Sequence, residues 1–214
     1  MSPDQATALS DGLLALAAFA LAAWSWQRRA ISFLAGPMTG TFVAHGFAAV
    51  LGGMWHAWEQ SFPPAASFWL WKATLVAVGL GDACLLAALA RAPAPRRHER
   101  ALRTAIWAKL GAYLVFAAFN DAYLIAVIDQ GLTLLAGLAV VAWDATHERS
   151  LPAAWLVGAI VLAVTAGVVQ ATGLELGRQL NHNVLYHLVA LLALVAFGRA
   201  ATLGPRTADA ACAA

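Results

Sequence analysis

The sequence predicts an all-α bundle of seven transmembrane helices, with the N-terminus outside and the C-terminus inside. Three observations carry this expectation. Apolar residues make up 62% of the 214-residue chain and charged residues 11%, against about 45–50% and about 25% in soluble domains. The apolar residues fall into seven runs, and crossing a bilayer as a helix takes about 20 of them. The arginines segregate as well. On an N-out path ten of the eleven fall on the inner side and only Arg178 falls outside, the asymmetry that cationic cytoplasmic loops show. So few charges could not cover a soluble surface without large apolar patches. A disordered chain, a nucleic-acid binder and a disulfide scaffold are excluded by the same composition.

The expected spans are 9–26, 30–55, 68–90, 104–119, 123–143, 152–173 and 183–201. Gln27-Arg28-Arg29 ends the first. Pro63-Pro64 lies between the second and third, and the basic run 91–103 follows the third. Asn120-Asp121 is the only punctuation between the fourth and fifth spans, and it reads as a tight helical hairpin turn. Polar segments 144–151 and 174–182 separate the last three. Residues 1–201 thus form one membrane domain, and 202–214 read as a disordered cytoplasmic tail. The first eleven residues hold acids but no Arg or Lys; without a basic leader region, the first apolar run is expected to stay in the mature chain. Cys84 and Cys212 form no framework. Most of the nine Trp residues stand near span ends, as an interfacial aromatic belt does.

Ionisable side chains at membrane depth are costly and point to function. The topology divides them in two. Near the outer ends lie Asp11, His56, Glu59, Asp121, Glu175, His182 and His187; deeper lie His45, Asp82, Lys109 and Asp129. His56 closes the second span after Gly52-Gly53, while His182 and His187 open the seventh. Three imidazoles therefore reach one level, and three protein ligands with an open position is the composition of a catalytic zinc site. Histidines at helix ends also sit in the interfacial zone bonded to water or headgroups, and that reading stands beside the first. His182 and His187 are five apart, so they share an ion only if His182 lies in the loop or first turn, which Asn181 or Asn183 as N-cap would permit. In the inner set, Lys109 is expected to pair with Asp82, Thr41 and His45 share one helix face, and Asp129 lines a polar cavity in the outer half.

These residues resemble the CREST superfamily of seven-span membrane hydrolases, which includes the alkaline ceramidases and adiponectin-receptor-like proteins. The resemblance rests on the span count and on His56, His182 and His187, as a divergent bacterial-type member. It implies zinc held by those three histidines and hydrolysis of an amide or ester lipid. A carboxylate would serve as general base, with Asp11, Asp121 and Glu59 as candidates in that order. It also implies a bilayer-embedded protein with a membrane lipid as substrate or ligand, in a bacterial inner membrane. Gly52 stands where that family carries Ser, and the third span opens without an Asp. A non-enzymatic metal- or cofactor-binding or receptor-like membrane protein using the same histidines is the alternative. The seventh span has no Lys, which removes a retinal Schiff base.

Overall fold

The computed structural model describes residues 2–90, 96–147 and 151–203. Part of the basic run 91–103, and the tail from residue 204 onward, lie outside them. Among the described residues the chain forms seven α-helices and no strand: α1 (Pro3–Arg28), α2 (Ala35–Trp58), α3 (Pro64–Ala90), α4 (Arg96–Phe119), α5 (Leu124–Thr146), α6 (Ala153–Thr172) and α7 (His182–Leu203). A short 3-10 turn, Glu59–Ser61, follows α2. Six of the seven, all but α2, are long and apolar enough to cross a membrane. That is the mark of a membrane protein, because a helix satisfies its own backbone in lipid.

The helices outrun the apolar runs where local capping extends them. Ser2 caps α1: its Oγ accepts the Gln5 N–H at 3.1 Å, and Gln5 Oε1 accepts the Ser2 N–H at 2.9 Å. This reciprocal box, with Pro3 in the first turn, starts the helix six residues before the apolar run. Pro64 likewise opens α3 and Arg96 opens α4. Asn120-Asp121 is the hairpin turn expected, and Asn120 Oδ1 accepts the Ala122 N–H at 2.8 Å. Gly173, at φ 66°, ends α6. Its left-handed conformation lets the Leu174 N–H turn back to Val169 O at 3.3 Å. Asn181 starts α7, with Oδ1 accepting the Val184 N–H at 3.0 Å.

Packing order departs from chain order. α1 lies between α2 and α7, and the circuit continues from α2 to α3, α5, α6 and back to α7. α4 stands outside this six-helix ring, against α3. The arrangement accommodates the polar residues of α2, the one helix outside the six that are long and apolar enough to cross a membrane. Enclosed by α1, α3 and α7, it buries Met38, Thr41 and Phe42 almost completely and carries Thr39, Thr41, His45 and His56 where a lipid-facing helix would carry Leu or Val.

Lys109 departs from expectation. Its Nζ meets Asp129 Oδ1 at 2.7 Å rather than Asp82, because α4 rests beside both α3 and α5. Asp129 is thereby tied into an ion pair and does not line the cavity described below.

Close approach of α1 and α2 depends on Gly46. A methyl group there would stand 2.8 Å from the Phe19 ring, whereas one on Gly158 would meet nothing within 4 Å. Gly46→Ala is expected to destabilise the bundle by about 1–3 kcal/mol through overpacking. Thermal unfolding in detergent should show a lowered midpoint for Gly46→Ala and no loss for Gly158→Ala.

Candidate functional site

The start of α1, α3, α5 and α7 and the end of α2 and α6 fall at one end of the bundle, and their polar side chains collect there. Behind them lies a cavity of about 140 Å³ walled by all six ring helices and by no α4 residue. An apolar cavity near 150 Å³ admits a group the size of benzene. Asp11, His56, Tyr123, Gln170, Asn183 and Tyr186 stand at the polar end. Leu85, Leu134, Leu194 and Phe197 line the far end. From His187 to Phe197 the α7 wall runs ten residues, about 15 Å at 1.5 Å per residue. The cavity is therefore elongated, with most of its polar groups at one end and a mainly apolar far end that Thr41 and His45 interrupt.

Its central polar contact joins the first and last helices. Asp11 Oδ1 lies 3.1 Å from His187 Nε2, and His187 Nδ1 lies 2.8 Å from Ser10 Oγ. The Ser10 hydroxyl donates to Thr7 O at 2.7 Å, so its oxygen is left to accept from His187 Nδ1–H. That fixes the tautomer: Nε2 is turned to Asp11, and one proton serves the Asp11–His187 contact. Both side chains are buried, at 4% and 8% exposure. Gly52 and Gly53 make room for the carboxylate, since a methyl on Gly53 would come within 3.0 Å of Asp11 Cβ. The same glycines that precede His56 therefore serve α1.

Two further groups complete the polar end. The hydroxyls of Tyr123 and Tyr186 lie 3.0 Å apart; one proton is shared between them, and the second hydroxyl hydrogen is left for another acceptor. Gln170 Nε2 donates to Asn183 Oδ1 at 3.0 Å. Three buried atoms of the cavity wall lack a hydrogen-bond partner: Asp11 Oδ2, Thr41 Oγ1 and Gln170 Oε1. Unpaired polar groups in an apolar interior are costly, and all three belong to residues that line one space.

The structure brings His56, His187 and Asp11 to this cavity and leaves His182 outside it. As the first residue of α7, His182 is turned to Glu175 Oε1 at 3.2 Å on a half-exposed surface. Among the described residues no group of three or more His, Cys, Asp or Glu side chains is arranged to hold a metal ion. Of the three expected zinc ligands, His56 and His187 line the cavity and His182 stands at its outer edge on Glu175. Asp121 is also elsewhere: 65% exposed, it holds Lys72 Nζ at 2.6 Å while its carbonyl accepts Trp71 Nε1–H at 2.8 Å. It clamps α3 to the α4–α5 turn. Glu59 sits exposed in the 3-10 turn. Of the three candidate bases only Asp11 faces the cavity. Sequence reasoning passed over Ser10, Gln170 and the two tyrosines. Adjacent Ser10-Asp11 inside an apolar run, and the lone amide of Gln170 in α6, were the signals available.

A ring of six helices with a buried carboxylate–imidazole pair at one end defines a membrane-type protein with an internal cavity. The chain belongs to a family of unknown function, DUF6962, which it matches over residues 6–204. No curated protein and no solved structure matches it.

The hydrogen-bond order predicts an asymmetry between two substitutions. Ser10→Ala strands the His187 Nδ1–H and should cost about 1–3 kcal/mol. Asp11→Asn keeps the shape and offers an N–H to Nε2, so it should cost less. Melting temperatures of the two variants in the same detergent test this order. A larger loss for Asp11→Asn would mean that an ionised carboxylate faces an imidazolium.

Proposed function

We propose that this protein spans the membrane seven times, N-terminus out, and that it binds an amphipathic lipid in the ring cavity and hydrolyses an amide or ester bond there. The single observation that carries the reading is the Asp11–His187 pair at the polar end of a cavity whose far end is mainly apolar. The acyl portion lies toward Phe197 and Leu85, and the scissile carbonyl lies at the level of the tyrosine pair. A free phenolic hydrogen of that pair donates to the carbonyl oxygen, the place where negative charge develops. Water held at Asp11 Oδ2 adds through its oxygen to the carbonyl carbon. Its proton passes to the Asp11–His187 pair and then to the leaving oxygen or nitrogen as the carbon–heteroatom bond breaks. Acid and alcohol, or acid and amine, result.

Binding without turnover is the second reading, and Ser10 favours it. Its hydroxyl is committed to Thr7 O and it does not line the cavity, so it is no nucleophile. Turnover of a fluorescent ester or amide lipid by the purified protein separates the two. Asp11→Asn should lose about 10²–10⁴ in rate while retaining the lipid. Wild-type protein that binds the lipid and leaves it intact establishes the binding reading instead. The zinc-dependent form needs His182 to leave Glu175 and join His56 and His187; metal content that falls in both His56→Ala and His182→Ala would support it, and content unchanged in either would remove it.

Orientation has its own test. Single cysteines at Glu59 and Glu175 should label with an impermeant maleimide from outside the cell, and one at Arg29 only after permeabilisation. Labelling of all three from one side would defeat the seven-span path.

A further inference from the structure

A second polar group lies deeper in the bundle and takes no part in the chemistry above. Asp82 of α3 is fully buried, and neither of its carboxylate oxygens has a hydrogen-bond partner. Every helix packed around it presents a titratable or charged side chain. His45 faces it from α2, with Nε2 at 3.8 Å from Oδ1. Asp129 faces it from α5, and Lys109 and Tyr113 stand on α4. Their commitments are fixed by geometry. Lys109 is taken by Asp129 Oδ1 at 2.7 Å, and the Tyr113 hydroxyl donates to Leu75 O at 2.7 Å. His45 Nδ1 lies 3.0 Å from Thr41 O. A carbonyl can only accept, so Nδ1 carries the hydrogen and Nε2 presents a lone pair.

Three lone-pair surfaces therefore converge with no hydrogen between them: Asp82, His45 Nε2 and Asp129 Oδ2, the last also without a partner. The charges do not balance either. Two carboxylates share one ammonium, which would leave a net negative charge in an apolar interior at a cost of several kcal/mol. One added hydrogen ion settles both accounts.

We propose that Asp82 is a buried proton-binding site, holding one exchangeable proton between His45 and Asp129. Gly81 is the local device that makes it. The His45 ring lies against Gly81, where any Cβ would overlap it, so the imidazole reaches the level of Asp82. His45 and Thr41 also stand on the wall of the ring cavity, and the Thr41 hydroxyl oxygen has no partner there. The cavity is thus the route by which the proton exchanges.

Infrared spectroscopy of the protein in lipid nanodiscs reads the proton directly, through the carbonyl stretch of a neutral carboxylic acid. At neutral pH the wild type should show such a band that moves to lower frequency in D2O. The variants are all read in an Asp11→Asn background, which removes the buried cavity carboxyl of Asp11 and should keep the band; Asp82→Asn added there should lose it. Asp129→Asn supplies an independent arm. It leaves Lys109 to Asp82, which should then ionise and lose the same band although the residue is still present. A band absent from the wild type, retained in Asp82→Asn, or unmoved in D2O after long exchange would overturn the proposal. If Asp82→Asn does not fold, retention of the band in Asp129→Asn overturns it equally.

Discussion

A polar side chain inside this bundle has no water to fall back on, so each must find its partner on its own helix or on a neighbouring one. That constraint orders the structure. Ser25 of α1 donates to Ala35 O at 2.7 Å, and Ser32 donates to Ala201 O at 2.6 Å, fixing the α1–α2 connection to the end of α7. Asp144 Oδ2 accepts the Leu151 N–H at 2.9 Å, so the end of α5 is held to the residues preceding α6. Tyr113 and Lys109 peg α4 to its neighbours. The few polar atoms left unpartnered gather on the cavity wall or around Asp82, and there the molecule departs from its own rule. Unsatisfied groups are rare in an otherwise satisfied interior, and among the described residues they are confined to those two places.

The fold was largely legible because hydropathy and bundle packing answer to the same solvent. All seven apolar runs became helices, and Asn120-Asp121 became the turn its composition indicated. Helix ends were less legible, since Ser2, Pro3 and Pro64 act through capping that a hydropathy window ignores. The ring order was not legible. Nothing in the run from α3 to α5 says that these two touch while α4 is displaced outward; that follows from side-chain volume and from where Lys109 finds a carboxylate.

The site was legible in part. Asp11, His56 and His187 were visible as ionisable groups at a common level, and all three line one cavity. His182 shared that level but not that face, because Asn181 caps α7 and rotates the first residue toward Glu175. Depth can be counted along a chain, whereas azimuth depends on the cap and on the neighbour. The same distinction separates Asp11 from Asp121. The second lies at the correct end but finds the buried Lys72, whose ammonium also donates to Asn120 O at 3.1 Å, and so holds a turn in place.

The pair that closes the cavity joins residue 11 to residue 187. During synthesis the first helix leaves the ribosome long before its partner exists, and its carboxylate must wait through five intervening helices in the ring and beside it. No truncated chain lacking α7 can complete the wall, so unfinished copies cannot carry a working cavity. α7 supplies both the imidazole and the final apolar side of the chamber.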